Sequence, residues 1–181
     1  MNDDDLFAIE FAVDGRPLHK YEQRITGRKT CRRFVAGGMR AVRDLLPKRA
    51  RILDFGGGRY DDSMEFMREW GHQLLVYDPY NRSPDHNLAV LASEWDAIIC
   101  CNVLNILTDD VIHKALEDVV TLRRGTDMPV FFTVYEKDKD GIGKFSGADE
   151  FQRNERISSY VPRLELHFKT VVKIKGVLSC R

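Results

Sequence analysis

Two aspartates bracketing a run of glycines carry the most suggestive chemistry in this chain. Arg51-Ile-Leu-Asp-Phe-Gly-Gly-Gly-Arg59 is an apolar stub ending in an acid, Asp54, followed by Gly56, Gly57 and Gly58. One helix-length later, Leu74-Leu-Val-Tyr-Asp78 is a second apolar stub ending in an acid. In an α/β sheet this succession seats an adenosine-containing ligand. Glycines let the backbone approach the ligand where any Cβ would collide or forbid the turn. Asp78, at the C-terminal tip of the second strand, can accept hydrogen bonds from both hydroxyls of a ribose.

Charge at the turn narrows the ligand further. A pyrophosphate-binding turn needs G-x-G-x-x-G and lays its anion on the following helix N-terminus. Here Asp61 stands where the third glycine belongs, and Asp62 follows it. Carboxylates at a helix start repel a pyrophosphate but suit a cation carrying a sulfonium and an ammonium. The pattern therefore favours S-adenosylmethionine over a nicotinamide cofactor.

A second set of candidates ends the apolar run Trp95-Asp-Ala-Ile-Ile-Cys-Cys101, the mark of a central parallel strand covered on both faces. Cys101 and Asn102 fall at the switch-point crevice and join Asp54, Gly56, Gly57, Gly58, Asp78 and Pro79 as the candidate cofactor-binding set. Asn102 is also the candidate catalytic residue: its amide could orient an acceptor lone pair, or simply cap the next turn. Cys100 and Cys101 read as small buried fillers, since no Pro-Cys pair marks a thiolate nucleophile. Pro79 turns the chain after Asp78, and Asn105 reads as a cap or a loop ligand.

The remaining polar groups are less specific. Arg28, Lys29, Arg32 and Arg33 form the one tight basic cluster; it could grip a nucleic-acid phosphate or the cofactor carboxylate, or be a solvated helix face. Asp138-Lys-Asp140-Gly lacks the acids of a calcium loop, and Gly141-Ile-Gly-Lys144 lacks phosphate-loop spacing, so both read as parts of a polar lid. The five histidines show no metal spacing, and no metal site is expected. His19 and His86 are the two placed near the crevice.

The elements that must position these residues follow from periodicity. Residues 1–29 read as an N-terminal arm and 30–181 as a single domain. Phe34, Val35, Met39, Val42, Leu45 and Leu46 recur at helical spacing before Pro47. A helix opened by Asp61 or Asp62 carries Met64, Phe66, Met67 and Trp70 inward and closes at Gly71. The stretch 79–94 is too short for the helix, strand and helix of a full doubly wound sheet, so one edge strand, near Leu88 to Leu91, is expected to be stunted. Val111, Ile112, Ala115, Leu116, Val119 and Val120 form one helix stripe. Pro129 to Tyr135 is a further buried strand, 136–156 a polar excursion, Ser158 to Phe168 a helix, and Thr170 to Cys180 two strands hinged at Gly176.

At 181 residues the chain can bury roughly 70% of its unfolded surface without staples. Its 28 basic and 28 acidic residues cancel, so no global field recruits nucleic acid or membrane. Four unpaired-looking cysteines, an acidic Met-Asn-Asp-Asp-Asp start and no apolar run near the ~18 residues of a membrane span lead us to expect a cytoplasmic protein with no membrane partner.

Leu53-Asp-Phe-Gly-Gly-Gly58, Tyr77-Asp78 and Asp96-Ala-Ile-Ile-Cys-Cys-Asn102 together resemble the class I S-adenosylmethionine-dependent methyltransferases over residues 52 to 135. The resemblance implies a Rossmann-like, doubly wound, mostly parallel sheet closed by a C-terminal antiparallel β-hairpin. It also implies Asp54 near the methionine end of the donor, Gly56 and Gly58 flanking it, and Asp78 on the ribose. Gly58-Arg-Tyr-Asp-Asp62, Tyr77-Asp-Pro-Tyr80 and Asn102-Val-Leu-Asn-Ile-Leu107 are similar to methyltransferase-like proteins of phages and DNA-modification systems. The D-P-P-Y motif of amino methyltransferases is missing from its place after Cys101. The expectation is methyl transfer to an oxygen or nitrogen of an unidentified acceptor, nucleic acid or small molecule. The alternatives are a catalytically inactive S-adenosylmethionine-binding protein of the same fold, and a nicotinamide-dependent oxidoreductase.

Overall fold

The computed structural model describes residues 18–19, 35, 37–136, 141, 144–147 and 150–181. The basic cluster Arg28 to Arg33, and all of the N-terminal arm except Leu18 and His19, lie outside the described residues. In chain order the elements are α1 (Gly37–Arg43), β1 (Arg51–Phe55), α2 (Asp62–Glu69), β2 (Gln73–Tyr77), α3 (Pro84–Leu91), β3 (Ala97–Cys101), α4 (Asp109–Leu122) and β4 (Val130–Thr133). There follow β5 (Lys144–Gly147), β6 (Glu150–Gln152), α5 (Val161–Glu165), β7 (Val171–Ile174) and β8 (Val177–Cys180).

Six strands form one sheet in the order β2-β1-β3-β4-β8-β7. The first four run parallel, while β8 is antiparallel to both of its neighbours. Period-two alternation explains how short apolar strands serve two cores at once. Leu53, Ile98, Cys100, Phe132 and Leu178 face the core under α4. Ile52, Val76, Ala97, Ile99, Phe131 and Val177 face the core that holds Met39, Val42 and Met67. The α4 stripe buries Val111, Ile112, Ala115, Leu116 and Val119, with Val120 packed at its margin. The closing hairpin turns at Lys175 (φ 46°) and Gly176 (φ 80°), two positive φ values in succession, as a two-residue turn between right-twisted strands requires.

Several expectations need correction. The first concerns the edge strand near Leu88 to Leu91: this segment is the helix α3, and β2 is left as the sheet edge. Ser83 in extended conformation accepts the His86 amide and Pro84 sits in the first turn, which is a helix-start signal that outweighs the apolar run. Helix α3 then does chemically what a third strand would have done. His86 Nε2 lies 2.8 Å from the Val76 carbonyl, the Asp78 N–H donates to Asn87 Oδ1 at 3.2 Å, and Asn87 Nδ2 donates to the Asp78 carbonyl at 3.1 Å. Residues 76 and 78 point their backbone groups outward along the open edge, and two side chains satisfy them.

The second correction is Trp70, expected inward but 55% exposed; α2 ends before it, and the Arg43 guanidinium stacks on its ring at 3.8 Å. Third, the polar excursion 136–156, given no strand from sequence, contains two. Strands β5 and β6 pair as an antiparallel hairpin, and Arg153 and Asn154 are buried. The expected helix from Ser158 to Phe168 is a 3-10 turn, Ile157–Tyr160, running into the short α5. The described piece of the arm docks on α4, where the His19 N–H and Nδ1 both meet Asp118 Oδ1, at 2.9 and 2.8 Å. Asp118 lies nine residues, roughly 14 Å, along α4 from its crevice end, so His19 is not a crevice residue. No helix among the described residues is long and apolar enough to cross a membrane.

Asn87 generates a stability prediction. Asn87→Ala leaves the buried N–H of Asp78 without its partner and removes one of the two donors to its carbonyl, and should lower unfolding free energy by about 1–3 kcal/mol. Urea denaturation checks this, and a midpoint equal to wild type would refute the edge-capping role.

Candidate functional site

The glycine run needs its glycines on two grounds, backbone conformation and close approach. Gly56 and Gly58 adopt φ of 77° and 79°, the left-handed region that penalises a Cβ. A Cβ on Gly56 would also lie 2.6 Å from Val103 Cγ2. At Gly57 the obstacle is purely steric: its Cβ would fall 2.5 Å from Asp54 Oδ2 and 2.8 Å from Val76 Cγ1. The bend is tied to the second strand by the Gly56 N–H donating to the Tyr77 carbonyl at 2.8 Å.

The two aspartates meet at this bend in opposite electrostatic conditions. Asp78 is buried, and its carboxylate gathers donors from its own chain. Oδ1 accepts the N–H groups of Tyr80 and Asn81 at 3.0 Å each, and Oδ2 accepts the Gly58 N–H at 2.9 Å. Asn81 Nδ2 bridges both oxygens at 3.1 Å. Asp54 is 2% exposed, and its Oδ1 has no hydrogen-bond partner. Burial pushes its carboxyl up from 3.8 to about 7; the Asp78 charge adds to this and Arg82 opposes it.

Arg82 was not singled out from sequence, yet it organises the turn. Its Nε donates to the Gly58 carbonyl at 2.7 Å, Nη2 to the Tyr60 carbonyl at 3.1 Å, and Nη1 pairs with Asp61 Oδ1 at 2.7 Å. The Arg82 N–H closes a turn on the Asp78 carbonyl at 3.1 Å. The turn-forming composition of Asp78-Pro-Tyr-Asn-Arg82 was legible, but the direction of the guanidinium was not. This pairing also qualifies the charge argument at the helix start, because Asp61 is matched by Arg82 and makes no side-chain cap to α2.

Asn102 follows β3 with φ 59°, an unusual value for a residue with a side chain, and its N–H donates to the Thr133 carbonyl at 2.9 Å. The next residue, Val103, is the one that would collide with a Cβ on Gly56, so the end of β3 and the glycine bend adjoin. Cys101 is half-buried beside them. Burial drives the thiols of both Cys100 and Cys101 far above their ordinary range, so neither is a thiolate near neutral pH. Pro79 is exposed beyond Asp78.

Asn105 is a loop anchor: its carbonyl accepts the Arg153 N–H at 2.8 Å and its Nδ2 reaches Gln152 at 3.3 Å. Arg153, 3% exposed, fastens the same region through the Leu107 carbonyl at 2.6 Å and Asp109 at 2.8 Å. His86 is engaged at the Val76 carbonyl, and among the described residues no cluster of three His, Cys, Asp or Glu could hold a metal ion.

Asp54 also makes stability depend on pH. Its folded value of about 7 lies above the unfolded 3.8, so its contribution is intact below about pH 4 and is lost as pH rises toward 7. Asp54→Asn removes that loss. The stability of this variant relative to wild type should therefore rise by on the order of 4 kcal/mol between about pH 4 and pH 8. Chemical denaturation across this range checks it, and a difference that does not change with pH would show Asp54 to be an ordinary solvated acid.

No protein-family model matches the sequence, and no curated protein matches it. Solved structures do match. The chain is similar to the Burkholderia thailandensis 1,6-didemethyltoxoflavin-N1-methyltransferase, solved with 1,6-didemethyltoxoflavin and S-adenosylhomocysteine, at a TM-score of 0.60 and 22% identity over 80% of this chain and 78% of that one. It is similar to human N-acetylserotonin methyltransferase, solved with S-adenosylmethionine, at 0.51 and 15% identity over 79% of this chain and 50% of that one. It is also similar to a small RNA methyltransferase at 0.52 and 11% identity, over 92% of this chain and 27% of that one. The narrower likeness to phage and DNA-modification proteins gains no support from these neighbours. Sheet order, the antiparallel closing strands and these structural matches agree that the chain has the class I S-adenosylmethionine-dependent methyltransferase fold.

Proposed function

We propose that this chain is an S-adenosylmethionine-dependent methyltransferase acting on an oxygen or nitrogen of its acceptor. The observation that carries this reading is the bend itself: a glycine run no side chain could occupy, with a buried, unpartnered Asp54 oxygen on one side and the Asp78 carboxylate on the other. An orphaned buried acid is expensive unless a donor or a cation completes it, and a cationic adenosyl ligand supplies both. When bound, the cofactor supplies an activated methyl on a good sulfonium leaving group. Asp54, Gly56, Gly57, Gly58 and Asp78 would hold it, with Pro79, Cys101 and Asn102 at the rim.

The chain's own part in catalysis is then positioning rather than nucleophile activation. Their raised thiols make Cys100 and the half-buried Cys101 poor covalent nucleophiles near neutral pH. Asn102 is the proposed orienting group for the acceptor, its amide presented from a left-handed backbone position next to the bend. Residues 30–181 would form the single catalytic domain, with residues 1–29 as an arm. Arg28, Lys29, Arg32 and Arg33 are the candidates for contact with a phosphate, should the acceptor be a nucleic acid.

Two measurements test this reading. Titration calorimetry should show S-adenosylmethionine binding, weakened by about 1–3 kcal/mol in Asp78→Ala, the scale of hydrogen bonds lost to a charged group. Binding should also strengthen as pH rises from about 6 to 8, because a cation beside Asp54 favours the ionised carboxyl that is half-protonated near 7 in the empty site. This pH dependence should vanish in Asp54→Asn. Nicotinamide cofactor binding without S-adenosylmethionine binding would overturn the proposal. Transfer of tritiated methyl to fractionated host DNA, RNA, protein or small molecules would identify the acceptor, and binding without transfer to any fraction would favour the cofactor-binding protein instead.

A further inference from the structure

Resting on the cofactor reading above, we propose that Arg82 is a positioning residue for the donor site, holding the shape of the glycine bend between the two aspartates. The Gly58 peptide is gripped from both sides. Its N–H is held by Asp78 Oδ2 at 2.9 Å and its carbonyl by Arg82 Nε at 2.7 Å, so two residues of one short segment grip both sides of one glycine. A residue at φ 79° with no side chain has no packing of its own to keep it there. The fork of the guanidinium extends the grip to the Tyr60 carbonyl and to Asp61, fixing the chain from the bend to the start of α2. The Arg82 side chain is 12% exposed, which leaves little water to compete for these bonds.

The guanidinium that makes these bonds also carries charge beside Asp54. Acting on the Asp54 carboxyl are the Asp78 carboxylate from the end of β2 and Arg82 from the turn after it, while Cys101 of β3 lies on the same sheet face and Cys100 on the opposite one. Arg82 is the cation of that group, and it opposes the upward push on the Asp54 carboxyl that burial and Asp78 exert. Loss of the guanidinium would therefore do two separable things: release the bend, and make Asp54 harder to ionise.

Lysine separates them, since an ammonium keeps the charge but cannot reproduce a planar fork to three acceptors. Arg82→Ala and Arg82→Lys should each weaken S-adenosylmethionine binding about tenfold to a hundredfold by calorimetry, the range for charge-assisted hydrogen bonds lost at a binding site. The midpoint of the Asp54 titration, followed by its side-chain carboxyl carbon in NMR, should rise in Arg82→Ala and return toward wild type in Arg82→Lys. A role confined to fold stability would move the melting temperature without moving that midpoint. If Arg82→Ala does not fold, Arg82→Lys against wild type still decides the shape claim. Wild-type affinity in the folded variants, or an unmoved Asp54 midpoint in Arg82→Ala, overturns the proposal. Failure of wild type itself to bind S-adenosylmethionine would instead overturn the cofactor reading.

Discussion

A carboxylate taken out of water must find donors, and the donors that Asp78 finds determine how the rest of the site is built. Its oxygens accept from Tyr80, Asn81 and Gly58, and those bonds bend the chain after β2 back toward the glycine turn after β1. Bending the chain there is what brings Arg82 against the Gly58 and Tyr60 carbonyls. The two strand ends thus do not merely lie side by side in a parallel pair; they are cross-linked by charge-assisted hydrogen bonds through residues that lie outside the sheet.

Asp54 is the counterpart that finds no such donors. The absence of a Cβ at Gly57 makes room for it, and burial pushes its carboxyl up to about 7, while the Asp78 oxygens are met by protein donors. Two acids in one pocket with opposite surroundings are a common way for a site to divide roles, one fixing geometry and the other answering to ligand charge. Arg82 lies within the influence of both, so a single guanidinium links the backbone geometry to the electrostatics.

Much of this was legible in the sequence because it depends on local rules. Strands β1 and β2, the glycine bend and the closing hairpin follow from apolar runs, positive-φ residues and their spacing, all of which act over a few residues. The segment after Asp78 was misread, because Leu88 to Leu91 has the composition of a strand while Ser83-Pro84 starts a helix, and the start signal prevailed. Trp70 was misplaced because an aromatic at the end of a helical stripe can stack on an arginine instead of entering the core. The roles of Arg82 and Asn87 could not be read at all. Each acts on a backbone group brought to it by the fold, Arg82 across 24 positions and Asn87 on the open edge of β2. No periodicity records that.

The same reasoning separates the two halves of the crevice. The sheet order reverses between β1 and β3, which opens the crevice there, and Val103 packs on Gly56 across it. On one side the bend is held by Asp78 and Arg82; on the other, the turn after β3 is held by Arg153, whose guanidinium reaches the Leu107 carbonyl and Asp109 and whose N–H meets Asn105. The described contacts join each half within itself, while the close approach between them is apolar and small. Substitutions among residues 102–109 or 150–156 can then reshape the side after β3 without loosening the bonds that fix Gly58. That division leaves a bend whose geometry is constrained beside a wall that is free to diverge, so one frame can carry differently shaped crevices.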